Sequence, residues 1–285
     1  MATTLAFLAA VCLGAAIVTS KFGLRVLDAR SGAAISIPSS TASLLMVSPF
    51  AWDASAFTFH AALVFAVVGF FYPALVTLLR FHSTDRLGPA TTSTVLASTT
   101  PLFAVAAAAA WLDEAVPRQA MLATCGVVGG IALMSFRTGC ARVAWRGWWL
   151  IFPFAASLVS GCAQAGVKSG LLLWANPFAA ALIGYIVSSF IVLAFESVRK
   201  TGRTIRPVGA VLWFGCTGVL NAIGVLSLFA ALNSAPVSLV APIVAAYPLV
   251  TLFLSAAVLK DEAINVRMFA GAVLTVLSIA YLVSA

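Results

Sequence analysis

The residues that could carry out acid–base chemistry lie at the ends of long apolar segments, and none lies near a segment's centre. The eight acidic residues are Asp28, Asp53, Asp85, Asp113, Glu114, Glu196, Asp261 and Glu262. An ionisable side chain in the middle of a membrane helix is costly and marks a proton or ion relay. The two histidines, His60 and His82, are isolated near segment ends, where packing or an interfacial role is expected. The sequence therefore predicts no acid–base relay.

Metal and nucleophile chemistry also lack a sequence pattern. The five cysteines show no CxxC spacing, and four of them lie within apolar segments: Cys12, Cys125, Cys162 and Cys216, with Cys140 in a basic loop. We interpret them as small packing residues. No cluster of acids, histidines and a nucleophile supports a membrane-embedded enzyme. We expect no catalytic residues, no metal site and no cofactor.

Uncharged polar residues do lie near segment centres, and they are the candidates for contact with a solute. They are Tyr72, Ser98, Thr99, Thr100, Gln164, Thr217, Asn221 and Tyr247. In lipid each would leave hydrogen-bonding groups unsatisfied, whereas a water-filled cavity removes that cost. For the serine and threonine residues, hydrogen bonds between helices explain the pattern equally well. We predict a substrate cavity that, lacking a fixed charge within the membrane, accepts neutral or zwitterionic solutes, aromatic ones included.

The elements that must position these residues are membrane helices. The chain has 285 residues, of which 62% are hydrophobic and 8% charged, and its mean hydropathy is +1.10. A spanning helix needs about 20 apolar residues. Ten apolar segments are predicted, at about residues 4–20, 34–51, 57–79, 89–112, 118–136, 148–166, 176–195, 208–231, 237–259 and 265–284. The fold class is therefore an all-α polytopic membrane protein with ten transmembrane helices.

The sequence contains an internal repeat at an offset of 147 residues. The offset pairs Pro89 with Pro236, Pro101 with Pro248, Lys21 with Lys168, and Gly14 with Gly161. The chain thus divides into two five-helix repeats, residues 1–140 and 147–285. Because five is odd, the second repeat should enter the membrane from the opposite side, which gives inverted repeats.

Two pairs of repeat-related residues are candidates for gating. Pro101 and Pro248 lie in mid-segment, where proline removes a helical hydrogen bond and is tolerated beside a cavity. Paired broken segments are typical of a transporter's binding site, so we expect kinks that shape the cavity and act as pivots. Lys21 and Lys168 are interpreted as anchors that reach the membrane surface, or as gate residues.

The basic residues predict the orientation. Loops after odd-numbered segments hold 14 of the 16 Lys and Arg, Arg80 among them, and the other loops hold only Arg118 and Lys168. By the positive-inside rule the odd loops are cytoplasmic and both termini are periplasmic. The same distribution explains the net charge of +8 without nucleic acid as a partner.

These features resemble the EamA-type drug/metabolite transporter superfamily. The resemblance covers nearly the whole chain and is most specific at the proline-containing segment, the acid at its exit and the glycines that follow. The family pattern places glycines nine and sixteen residues after the acid; this sequence has Ala123 and Gly130 in one half and Gly271 and Ser278 in the other. Within the superfamily, the chain resembles in general character, though not through a substrate motif, the bacterial YddG-type aromatic amino acid exporters.

The resemblance implies a transporter that exports small organic metabolites, amino acids and aromatic ones among them, across the bacterial inner membrane by alternating access. A multidrug or sugar-type permease of the same fold is the alternative, and a membrane-embedded enzyme is the alternative from another class. The expected partners are the small-molecule substrate and the lipid bilayer. Gly126 and Gly130 have the spacing that lets helices approach closely. We expect them to pack within a monomer, with dimerisation through this face as the alternative.

Overall fold

The computed structural model describes residues 1–53, 57–87, 89–135, 147–198, 207–259 and 266–284, and the regular elements in these ranges are helices. A 3₁₀ turn, Gly147–Leu150, precedes the seventh α-helix. The α-helices of the described ranges are α1 (Ala2–Leu24), α2 (Ala29–Ala51), α3 (Phe59–Phe71), α4 (Ala74–Leu87), α5 (Pro89–Trp111), α6 (Arg118–Ser135), α7 (Ile151–Leu173), α8 (Pro177–Ser197), α9 (Val208–Ser234), α10 (Val237–Val244), α11 (Tyr247–Leu259) and α12 (Val266–Ser284). Asp261, Glu262, Cys140, Arg137, Arg142 and Arg146 lie outside the described residues.

The lengths and compositions of these helices are those of a multi-pass membrane protein. Seven helical stretches of the described chain are long and apolar enough to cross a membrane, and three further apolar helices are shorter. Eight of the predicted segments correspond to single helices. The third predicted segment is divided into α3 and α4, and the ninth into α10 and α11.

The third predicted segment is interrupted at Tyr72 and Pro73. Tyr72 is extended, with φ −130° and ψ 124°. Proline removes the backbone N–H that Gly69 O would accept, and it disfavours helical geometry in the residue before it. The buried hydroxyl of Ser188, on α8, donates to Gly69 O at 2.6 Å and accepts from the Ala74 N–H at 3.2 Å. One side chain thus satisfies backbone groups on both sides of the break.

The two repeat-related prolines, Pro101 and Pro248, lie at different places in their helices. The helix α5 continues through Pro101 from end to end, and a kink at Pro101 stays a prediction. In the ninth segment the chain leaves the helix after Val244 and re-enters it at Tyr247. Pro248 lies in the first turn of α11, where its missing N–H costs no hydrogen bond. The two breaks are therefore at 72–73 and 245–246, which are not repeat-related positions.

The helices pack in pairs that repeat between the two halves. The helix α1 packs against α9, and α7, its counterpart in the repeat, packs against α3 and α4. The contact of α2 with α9 corresponds to that of α8 with α3. The contact of α5 with α7 corresponds to those of α10 and α11 with α1. The pairs α2 with α8 and α6 with α12 join equivalent helices directly. This arrangement follows from the sequence repeat, since equivalent segments present equivalent faces.

Glycine allows two of these crossings to be very close. A Cβ on Gly69 would lie 2.6 Å from Gly184 Cα, and a Cβ on Gly218 would collide with the Ser36 carbonyl oxygen. These two contacts join α3 to α8 and α9 to α2, which are related crossings. Small residues are the usual means by which membrane helices approach each other.

The closely spaced glycines of α6 face α12 of the same chain. A Cβ on Gly130 would lie 2.7 Å from Gly271 O, and a Cβ on Gly126 would collide with the Ser278 hydroxyl. The face of α6 formed by Gly126 and Gly130, for which the sequence left packing or dimerisation open, thus packs against α12 of the same chain. The family-related positions Gly130, Gly271 and Ser278 meet at this contact.

Candidate functional site

A central cavity lies between the two halves of the molecule. It contains about 920 Å³ of empty space, including the part that opens to the outside, and residues of α1, α2, α4, α5 and α7–α11 form its wall. Both helix breaks contribute to that wall, through Tyr72 and Pro73 on one side and Val244 and Ala245 on the other. Backbone that leaves the helix at membrane depth is tolerated where it faces such a cavity.

Several residues predicted from the sequence lie on the cavity wall. Tyr72, Gln164, Asn221, Tyr247 and Pro101 line it. These residues come from the break between α3 and α4 and from α5, α7, α9 and α11, so the fold brings together positions far apart in sequence. That a solute binds among them stays a prediction.

Three predicted cavity residues do not line the cavity, and the hydrogen bonds of their hydroxyl groups explain why. Ser98 and Thr99 donate to the Val95 carbonyl of their own helix. Thr217 is fully buried and donates to Trp213 O at 2.9 Å, and its hydroxyl lies 2.8 Å from that of Thr19. Thr217 thus makes a hydrogen bond between helices, which was the alternative for it, whereas Ser98 and Thr99 bond within α5. That any of the three contacts a solute stays a prediction. Pro248, Lys21 and Lys168 also lie off the wall.

The structure corrects the prediction that Arg80 lies in a loop. The helix α4 extends to Leu87, and Arg80 is a half-buried residue of the cavity wall. Pro73, Val76, Thr77 and Arg80 all line the cavity. Their spacing of i, i+3, i+4 and i+7 is the signal that places them on one helix face. The third predicted segment ends at residue 79, just before Arg80, so the prediction did not include Arg80 in this face. Because Arg80 lines the cavity, the expectation of a cavity without a fixed charge is wrong.

Three tyrosine residues share the cavity wall with this arginine. Tyr72, Tyr185 and Tyr247 line the same cavity and are near enough to Arg80 to interact with it electrostatically. Tyr185, which the sequence analysis missed, is 2% exposed. It lies at the centre of α8, close in sequence to Ser188 and Ser189, so polar residues in mid-segment are the signal that could have identified it. Among the described residues that line the cavity there is no aspartate or glutamate.

Gln164 contributes an unused acceptor to the wall. Its side chain is 7% exposed, and its Oε1 accepts no hydrogen bond from the described residues. Buried polar atoms are normally hydrogen-bonded. The amide oxygen is therefore suited to accept a hydrogen bond from a molecule that enters the cavity.

Glu114 and Lys168 each make polar contacts with the other helices, away from the cavity wall. The Glu114 carboxylate accepts from the Val237 and Ser238 N–H groups, at 3.0 Å each, and from the Ser238 hydroxyl. Lys168 Nζ donates to Leu232 O and Ala235 O. Glu114 lies shortly before α6 in the chain, and a carboxylate at that place suits the N-terminus of the helix that follows. Instead it binds the N-terminus of α10, in the other repeat.

The described residues contain no group of three or more His, Cys, Asp and Glu that could hold a metal ion. The cavity wall consists of hydroxyl, amide, guanidinium and apolar groups, which bind and orient a molecule.

Comparison with known proteins shows the family to which this chain belongs. The EamA-like transporter family matches residues 1–136 and again residues 147–284. Twenty-eight chains of solved structures are similar. One of them, titled "Crystal structure of protein", has a TM-score of 0.80 and 13% identity over 98% of this chain and 95% of its own, a likeness of fold alone. No curated protein matches the sequence. Because the family match covers both repeats, the chain belongs to the EamA-like transporter family, within the drug/metabolite transporter superfamily.

Proposed function

We propose that this protein carries small organic metabolites across the inner membrane through the central cavity. The observation that carries the proposal is the cavity itself, which both repeats line and where both helix breaks meet. Polar side chains and non-helical backbone gather there, where a solute can bind them. Ligand sites of secondary transporters lie at such repeat interfaces.

We propose further that ten spans form two inverted repeats, residues 1–140 and 147–285, and that transport proceeds by alternating access. The paired helix contacts support this, because the contacts of α1 with α9, α2 with α9 and α5 with α7 each have a counterpart in the other half. A structure built from two equivalent halves has two equivalent ways to pack. Exchange between these packings would open the cavity first to one side and then to the other.

The cargo class and direction extend the same proposal. We propose export, with amino acids, aromatic ones among them, as the first class to examine. A multidrug or sugar-type permease is the second candidate, and the polar wall that includes Asn221 and Gln164 is the feature that favours it. A panel of labelled amino acids, sugars and hydrophobic cations, offered to proteoliposomes with and without a pH gradient, distinguishes these classes.

Filling the cavity tests whether it is the transport path. Thr100 lines the cavity on α5, and Thr100→Trp would place an indole in the path. Leu102, on the same helix, is 41% exposed and off the cavity wall, so Leu102→Trp is the matched control. We expect Thr100→Trp to lower the initial uptake rate by about tenfold or more, a barrier increase of about 1.4 kcal/mol. The control should transport normally.

Protein amount and the thermal unfolding midpoint are measured for both variants. A folded Thr100→Trp variant that transports at the wild-type rate would exclude the cavity as the path.

A further inference from the structure

We propose that the cavity selects solutes whose apolar body carries an uncharged hydrogen-bond donor, an indole N–H or a phenolic O–H, and that Gln164 recognises this donor. The inference rests on the proposed function, because it takes the cavity to be the transport path. It names Gln164 as the residue that distinguishes one solute from another.

The first argument is a difference between equivalent positions of the two repeats. At the offset of 147 residues, Leu13 pairs with Ser160 and Ile17 with Gln164, and all four residues line the cavity. The first repeat thus contributes two apolar side chains, on α1, where the second contributes two polar ones, on α7. Equivalent places on the wall therefore have opposite polarity.

The two helices place these side chains on different parts of the wall. The helix α1 packs against α9, whereas α7 packs against α3, α4 and α5. A solute with an apolar body and one polar group matches such a wall when its body lies at Leu13 and Ile17 and its polar group at Gln164. Burial of the apolar body then favours binding, and the polar contact gives specificity.

The second argument is the state of the Gln164 amide. The side chain is 7% exposed, and its Oε1 is buried without a donor from the described residues. A buried acceptor left unsatisfied costs free energy, and a hydroxyl or N–H group of a bound solute would remove that cost. Because a carboxamide is neutral, it does not compensate the charge of a buried ammonium group. The donor that suits it is therefore an uncharged one.

Two pairs of amino acids isolate the donor. Tryptophan and 1-methyltryptophan differ at the indole N–H, and tyrosine and phenylalanine differ at the phenolic O–H. Loss of the donor adds bulk in the first pair and removes bulk in the second, so size does not explain the same preference in both. The ammonium and carboxylate groups are common to both members of each pair.

Uptake of each labelled compound is measured in proteoliposomes, and each compound is also tested for a shift in the unfolding midpoint. We expect the member with the donor to be taken up about five- to tenfold faster at low concentration, which is the effect of about one hydrogen bond. The same member should stabilise the protein more.

A variant connects this preference to Gln164. Gln164→Met removes the amide and keeps a side chain of similar length, so the uptake ratio within each pair should fall to about one. Because the variant also removes a buried acceptor that has no donor, the unfolding midpoint without added solute should stay unchanged or rise. Leu158→Met is the matched control, because Leu158 lies on the same helix, is 47% exposed and is off the cavity wall. It should keep the preference of the unchanged protein.

The outcomes separate the two proposals. Transport without a preference for the donor, or a preference that persists in Gln164→Met, would overturn the inference and leave the transporter intact. A Gln164→Met variant that unfolds earlier or does not fold would show that the amide supports the fold, which also overturns the inference. Stabilisation by tryptophan that disappears in Gln164→Met, without transport of any of the four compounds, would support the site and count against the proposed function. Neither transport nor stabilisation by any of them would overturn the inference.

Discussion

At the scale of single residues, Ser188 shows how a broken helix is kept stable. Its hydroxyl bridges Gly69 O and the Ala74 N–H across the break at Pro73. Both backbone groups would otherwise be buried without the partners that a continuous helix provides. The residue belongs to the second repeat, so the first repeat depends on the second for its local geometry.

We predict that Ser188→Ala lowers the free energy of unfolding by about 1–3 kcal/mol, the cost of leaving buried polar groups unsatisfied. Ser197→Ala is the matched control on the same helix, because the exposed Ser197 hydroxyl bonds only a carbonyl of its own turn. Thermal unfolding in detergent measures both. Equal midpoints for the two variants would show that the break needs no bridging hydroxyl.

Residue types alone identified part of the site, because polar groups in mid-segment have few uses. Tyr72, Gln164, Asn221 and Tyr247 line the cavity, whereas Ser98 and Thr99 bond their own helix. A threonine or serine hydroxyl can return to a carbonyl one turn earlier, and a glutamine or tyrosine side chain is too long to do so. Sequence cannot choose between these alternatives for the short side chains.

At the scale of elements, the contact between Glu114 and α10 connects the two repeats. A carboxylate at a helix N-terminus and an ammonium at a helix C-terminus each suit the helix dipole, and Glu114 and Lys168 occupy those places on α10 and α9. Glu114, which follows the proline-containing helix α5 of the first repeat, thus stabilises α10, which begins the corresponding segment of the second repeat.

We predict that Glu114→Ala lowers the free energy of unfolding by about 1.5–3 kcal/mol, since hydrogen bonds to a charged group are lost. Asp113→Asn is the control: Asp113 is exposed, and its φ of 48° is one that asparagine adopts readily. Differential scanning measurements on both variants check the difference. A Glu114→Ala variant as stable as Asp113→Asn would mean that the contact contributes little.

The positions of helices were largely predictable, and the positions of their breaks were not. Apolar length identifies each segment, because lipid requires it. Proline in mid-segment does not identify a break, since α5 passes Pro101 unbroken while Pro73 divides α3 from α4. The outcome depends on whether a neighbour such as Ser188 supplies the missing hydrogen bonds, and that partner is distant in sequence.

At the scale of the whole molecule, the repeat organises both the packing and the proposed mechanism. The family match to residues 1–136 and 147–284 and the recurrence of helix contacts have the same origin, two homologous halves. An offset that is constant along the sequence was sufficient to reveal this. Orientation in the membrane is a separate property, predicted by the basic loops alone.

We predict that the C-terminus is periplasmic, because basic residues concentrate in loops on one side. Alkaline phosphatase fused after Ala285 should be active, and green fluorescent protein at the same place should be dark. The opposite pair of results would reverse the orientation of the molecule. It would leave the relation between the two repeats unchanged.

The cavity between the two repeats has an energetic consequence for a charged solute. If one monoanion crosses through it per cycle, unaccompanied by a proton, each cycle moves net charge. The work is about 2.3 kcal/mol per elementary charge for each 100 mV of membrane potential. In a cell with a negative interior, that voltage expels anions and sustains about a fiftyfold higher concentration outside at 100 mV. A passive carrier of this design would therefore act as an electrogenic exporter, driven by the voltage that other proteins maintain.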